Sequence, residues 1–143
     1  VVEPYITLTE ETGFAGSWLD ASVIAPGFQM SNIYYGPNLL TGDPGAGVAF
    51  MKAYLRGVAL YIEGKTGRNL DILNKHTGLD RNLLQRCCWT AIRPDGRIDA
   101  DSVLEFQELL LQRGMIDRLV KIEEFWDPSF VNSAGDLLAG QPR

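Results

Sequence analysis

Apolar residues between positions 44 and 64 recur at spacings of three and four. Val48, Met51, Leu55, Val58 and Ile62 make one stripe, and Phe50, Tyr54 and Tyr61 make an adjoining one. That period is the mark of an amphipathic helix, and the breadth of the face predicts burial around much of it. Asp43 stands where an N-cap belongs, Pro44 takes the first helical position, and Gly64 supplies the stop. Gly57 inside this pattern costs about 1 kcal/mol against alanine, which predicts a closely packed neighbour as compensation.

Elsewhere the pattern is shorter-ranged. Residues 9–14 read as a short helix, with Thr9 as cap and Glu10 and Glu11 in the positive first turn. Residues 18–24 read as a weak strand or turn. Residues 28–40 read as a strand, because Phe28, Met30, Ile33, Tyr34 and Tyr35 have strand propensity, although the alternation is imperfect. Gly36-Pro37 ends that run or puts a bulge in it. Residues 69–77 carry Leu70, Ile72 and Leu73 before the Gly78 stop. Asp80 caps a turn or two bearing Leu83 and Leu84. Pro94-Asp95-Gly96-Arg97 is a turn signal. Asp101 or Ser102 then caps a helix with Val103, Phe106 and Leu110 in one row, ended by Gly114. Asp127-Pro128 repeats the cap-plus-proline start and opens a final short helix.

The chain has 143 residues, 45% of them hydrophobic and 22% charged, enough for the core of one domain. Its formal charge of −5 and its singly scattered Lys and Arg argue against a nucleic-acid partner. No apolar run reaches the length of a membrane span, and Val1-Val2-Glu3-Pro4 does not open like a signal peptide.

Candidate chemistry is sparse. Cys87 and Cys88 are adjacent, a geometry that resists a disulfide, and with His76 as the single histidine they make no metal set. Both thiols read as small apolar groups at a helix end. No nucleophile elbow, P-loop or zinc-protease helix is present. Glu10-Glu11 and Glu123-Glu124 read as solvated faces. Asp95, Asp99 and Asp101 read as turn and cap residues, because a calcium loop would need a glutamate twelve positions on. We therefore expect no enzyme activity, no catalytic residues, no metal and no cofactor. The aromatics of the first 35 residues are more suggestive, since pockets for small molecules are built from aromatic walls with a few polar groups. Glu3, Tyr5, Phe28, Tyr34 and Tyr35 are the candidate ligand-binding residues.

Several segments, in order, resemble one family. They are Glu3-Pro4-Tyr5, Ile24-Ala25-Pro26-Gly27-Phe28-Gln29, Tyr35-Gly36-Pro37-Asn38-Leu39-Leu40 and Phe50-Met51-Lys52-Ala53-Tyr54-Leu55-Arg56-Gly57. Thr77-Gly78-Leu79-Asp80, Pro94-Asp95-Gly96-Arg97-Ile98-Asp99 and Asp127-Pro128-Ser129-Phe130-Val131 continue the series. Together they are similar to the C-terminal half of the solute-binding proteins of nitrate, sulfonate and thiamine-precursor ABC transporters.

The resemblance implies an α/β, α-rich chain with part of a type II periplasmic-binding-protein-like fold: a few strands on the N-terminal side, then a mainly helical region. It implies one domain over residues 1–143, with 1–28 a remnant of lobe two, 29–40 the hinge-crossing strand and 41–143 the helices of lobe one. It implies binding of a small solute of the nitrate, sulfonate or thiamine-pyrimidine precursor class. The alternative is a stand-alone homo-oligomer derived from such a module, without a transport role. Helical faces meant for a sheet outside the chain imply pairing with a second copy, as a dimer that can exchange elements. The implied location is periplasmic for part of a full-length transporter component, and cytoplasmic if the chain starts here. Some relatives sacrifice a histidine of their own with iron in thiamine biosynthesis, and His76 alone does not support that chemistry.

Overall fold

The computed structural model describes residues 2–140. Its helices are α1 (Tyr5–Glu11), α2 (Ala21–Ile24), α3 (Pro44–Tyr61), α4 (Gly67–Thr77), α5 (Arg81–Arg86), α6 (Ala100–Gln112), α7 (Ile122–Phe125) and α8 (Ser129–Ala139), with a π-type turn over Asn38–Gly42. Among the described residues there is no strand. The α/β expectation is therefore overturned, and with it the N-terminal strands and the hinge-crossing strand at 29–40. Residues 28–36 form an irregular connection instead. A strand needs a neighbouring strand to take up its backbone groups. Here a side chain does that work at Gln29, whose N–H donates to Ser102 Oγ at 2.8 Å.

The chain divides into two compact units, Val1–Asp20 with Arg56–Pro94, and Ala21–Leu55 with Asp95–Arg143.

The first unit holds α1, the last turns of α3, α4 and α5. Its buried apolar residues are Val58, Leu70, Leu83, Leu84 and Cys87. The expected Thr9 cap is not present, since α1 begins at Tyr5 and Thr9 lies inside it, but the caps at Asp80 and Gly78 follow the sequence. Asp80 accepts from the N–H groups of Asn82 and Leu83, each at 2.9 Å. Gly78 closes α4 at φ 72°, a left-handed conformation that glycine adopts without steric cost. Asn69 is buried, and its Nδ2 donates to the carbonyls of Leu60 and Gly64 at 2.6 and 2.8 Å, at the end of α3. Trp89 stacks on Tyr61 with ring centroids 4.6 Å apart and donates through Nε1 to the Tyr61 carbonyl at 2.9 Å.

Gly57 has no compensating neighbour. A β-carbon built there meets nothing within 4 Å. Gly57→Ala is thus expected to raise stability by about 0.5–1 kcal/mol through helix propensity alone. Urea unfolding checks this, and a loss of stability would show that this face is covered in solution.

The second unit packs α3 from Pro44 to Leu55 against α8. Met51, Val131 and Ala134 form the buried cluster, with Tyr35, Val48, Tyr54, Leu55 and Trp126 partly buried around it. Asp43 Oδ1 accepts from Ala46 N at 2.9 Å, so the cap expected for α3 is in place. Asp127 Oδ1 accepts from Ser129 N at the start of α8. α6 begins earlier than expected: Asp99, not Asp101 or Ser102, is its cap and accepts from Ser102 N at 3.1 Å. The broad face predicted for α3 is only partly used. Met51 is buried, whereas Phe50 is 48% exposed.

Candidate functional site

Glu3 and Tyr5 belong to the first unit. Glu3 is the acidic member of the five candidate ligand-binding residues, but its carboxylate is occupied by the chain itself. It accepts from Thr7 N at 3.1 Å, from Thr7 Oγ at 2.9 Å and from Cys88 N at 2.8 Å. These bonds tie α1 to the segment after α5. Arg86 reinforces the tie by pairing with Glu11 of α1, with Nη2 to Oε2 at 2.9 Å. Tyr5 lies exposed on α1. Of the two thiols, Cys87 is buried and Cys88 is exposed, so one of them packs as an apolar group.

Burial raises the Glu3 carboxyl, but the hydrogen bonds from Cys88 and Thr7, with the Cys87 side chain, outweigh it and hold the group below its ordinary value of 4.5. Hydrogen bonding to Arg86 lowers Glu11 in the same way, against a smaller effect of burial. A carboxyl depressed in the folded state adds stability above its unfolded value and loses it as pH falls through the folded value. The tie is therefore complete above pH 4.5 and loosens below it. The Thr7 and Cys88 amide resonances should titrate with midpoints under 4.5, and Glu3→Gln should abolish that response. Resonances that hold still through acid titration would contradict the tie.

Phe28, Tyr34 and Tyr35 belong to the second unit. Phe28 packs edge-on against Phe106 of α6, with ring centroids 5.2 Å apart. Next to it, Gln29 Oε1 accepts from Asp99 N at 2.9 Å and fixes the chain at the start of α6. Tyr35 is a core residue. Its hydroxyl donates to the Gly47 carbonyl at 2.6 Å and its ring packs edge-on against Phe130 at 4.8 Å. Burial pushes the Tyr35 hydroxyl up from its ordinary value, as suits a neutral donor.

Of the five, Tyr34 lines a cavity. That cavity holds about 270 Å³ and is bounded by Asn32, Ile33 and Tyr34 on one side. Ile98 just before α6, Val103 and Gln107 of α6, and Val120, Phe125 and Trp126 line the rest. None of these residues is charged. Gln107 is occupied with the backbone of Val120, donating to its carbonyl at 3.1 Å and accepting from its N–H at 2.7 Å. That pair holds the segment after α6 in place as a wall. Asn32 is different. Its Nδ2 donates to the Tyr34 hydroxyl at 3.3 Å, while its Oδ1 is buried and has no hydrogen-bond partner.

A larger depression of about 610 Å³ lies along Leu110, Met115, Ile116 and Arg118. It has no aromatic wall, and Arg118 is paired with Glu124 at 3.2 Å. The smaller cavity is therefore the candidate site.

Of the residues lining this cavity, the sequence singles out Tyr34 and does not single out Asn32, Gln107 or Trp126. The available signals were an amide set among Met30, Ile33 and Tyr34, and a glutamine one position from Phe106 in the apolar row of α6. Among the described residues no group of three His, Cys, Asp or Glu side chains could hold a metal, and no helix is long and apolar enough to cross a membrane. No protein-family model, curated protein or solved structure matches the chain, so its function has to be argued from this site and from the resemblance of its segments.

Proposed function

We propose that the chain binds a small-molecule solute in the cavity beside Tyr34 and Trp126, in the manner of a solute-binding component of an ABC importer. The observation that carries this reading is the cavity wall. Three aromatic rings, Tyr34, Phe125 and Trp126, stand with aliphatic side chains around a concave space of about 270 Å³. Small-molecule sites have this composition, and their volumes begin at about 300 Å³, which limits the solute to a single ring or its equivalent. Isothermal titration with an aminopyrimidine, an alkanesulfonate and nitrate tests the reading. At least one should bind, and Trp126→Ala should weaken it by about tenfold through the lost ring contact. Absence of binding by all three at millimolar concentration, or binding indifferent to Trp126→Ala, would overturn it.

A second reading, association with a second copy of the chain, is favoured by the exposed surface. The chain exposes 10443 Å². Even two wholly separate globules of the units' sizes would expose only about 9,000 Å². Phe106, Leu109, Met115 and Leu137 are each more than a third exposed. Apolar surface of this extent drives association. Sedimentation at tens of micromolar should give a dimer, and a clean monomer would contradict this reading.

A further inference from the structure

We infer that the solute is uncharged and planar and carries an N–H or O–H donor, and that Asn32 Oδ1 is the group that recognises it. The inference rests on the cavity reading and concerns the chemistry of the occupant. Among the described residues, Asn32 Oδ1 is the buried side-chain polar atom left without a hydrogen-bond partner. An amide has two ends, and here only one is used: Nδ2 donates to Tyr34 Oη at 3.3 Å. The other polar side chain in the walls with an amide, Gln107, has both ends taken by Val120. A buried acceptor left unpaired destabilises the chain, and a ligand donor relieves that cost.

Oδ1 is shielded from solvent. Asn32 lines the cavity, and the χ2 torsion of asparagine is broad, so a turn of the amide can offer the oxygen to an occupant. Tyr34 follows readily, because the residue is 84% exposed. The arriving donor stabilises the turned amide, and the rings of Tyr34 and Trp126 take the faces of the solute.

The same walls reject oxyanions. No Lys, Arg or His lines the cavity. An anion would lose its hydration without a cation to receive it, and the Asn32 oxygen would repel it. Nitrate and sulfonates are therefore poor occupants, although the resemblance of the sequence allows both.

Aniline and toluene differ only in an amino group against a methyl group, and both are neutral at pH 7. In the unaltered protein aniline should bind tighter than toluene by about tenfold to a hundredfold, since a site built for a donor discriminates against a ligand lacking it. In Asn32→Leu the preference should vanish or reverse, with toluene binding retained. Equal affinity for the two rings in the unaltered protein would overturn the inference, and that comparison needs no variant. Tighter binding of benzenesulfonate or nitrate than of aniline, sensitive to Trp126→Ala, would overturn it while leaving the cavity reading intact. If none of the four binds, the cavity reading itself fails, and the inference fails with it.

Discussion

Replacing Phe130 by alanine is expected to destabilise the second unit by about 3–5 kcal/mol, the range for deleting a buried aromatic ring. Phe130 is only 7% exposed. Its ring is the packing surface for Tyr35, at 4.8 Å, and for the backbone of α3 at Gly47. A β-carbon on Gly47 would stand 2.6 Å from Phe130 Cε1. The bare glycine therefore exists to admit the ring, and nothing on α3 at that point can fill the hole the ring would leave. The effect should reach the site as well. Tyr35 anchors the segment whose neighbours Asn32 and Tyr34 wall the cavity, so ligand affinity should fall together with stability. Urea unfolding followed through the Trp126 side-chain resonance measures the loss. A change under about 1 kcal/mol would show that Phe130 is not packed as described.

Asn69→Leu should cost the first unit about 1–3 kcal/mol. The size follows from counting groups. The variant keeps the volume of the side chain but removes both donors, leaving the Leu60 and Gly64 carbonyls without them. Both carbonyls keep a backbone donor, Glu63 N–H at 3.2 Å for Leu60 and Thr66 N–H at 2.8 Å for Gly64, so each lost bond costs only its net contribution of about 0.5–1.5 kcal/mol. Asn69 does more than fill space, because its bonds cross from α4 to the end of α3 and hold the turn between them. The Thr66 cap of α4, which accepts from Asn69 N at 3.2 Å, remains available in the variant. The damage should therefore be confined to the end of α3. Faster hydrogen exchange at residues 62–64, with α6 and α8 unchanged, is the expected pattern. An unchanged urea midpoint would contradict the role given to Asn69.

Much of the helical architecture was legible because short-range chemistry decides it. Asp43 before Pro44, Asp80 before the Leu83-Leu84 pair and Gly78 after α4 each perform the duty their types suggest. What failed needed long-range information. Residues 28–36 have strand-forming side chains, but a strand exists only where another strand receives its backbone, and none is present among the described residues. The start of α6 was misplaced because Asp99, Asp101 and Ser102 are all good caps, and Gln29, seventy residues upstream, is bonded to Asp99. α7 carries too few residues for any period to show.

The site was less legible than the fold. Glu3 looked functional because it is a carboxylate beside a proline and a tyrosine, yet its contacts with Thr7 and Cys88 make it a tie between α1 and the chain after α5. Tyr35 looked like a pocket wall and is core. Tyr34, its neighbour, points the opposite way in exposure and does line the cavity. Aromatic residues have the same propensity in both roles, so only packing separates them. Asn32 gave a weaker signal still, since asparagine in a connection is ordinarily a turn residue.

The central claim, that the cavity of the second unit receives a small solute, is tested most directly by the three indole N–H resonances. Trp18 is 94% exposed, Trp89 is stacked on Tyr61, and Trp126 lines the cavity. Titrating the isotope-labelled chain with aniline should shift the Trp126 indole and the Asn32 side-chain amide together along one saturating curve, while Trp18 and Trp89 hold still. Shifts confined to Trp18 or Trp89, or no shift at Trp126 at saturating aniline, would contradict the account.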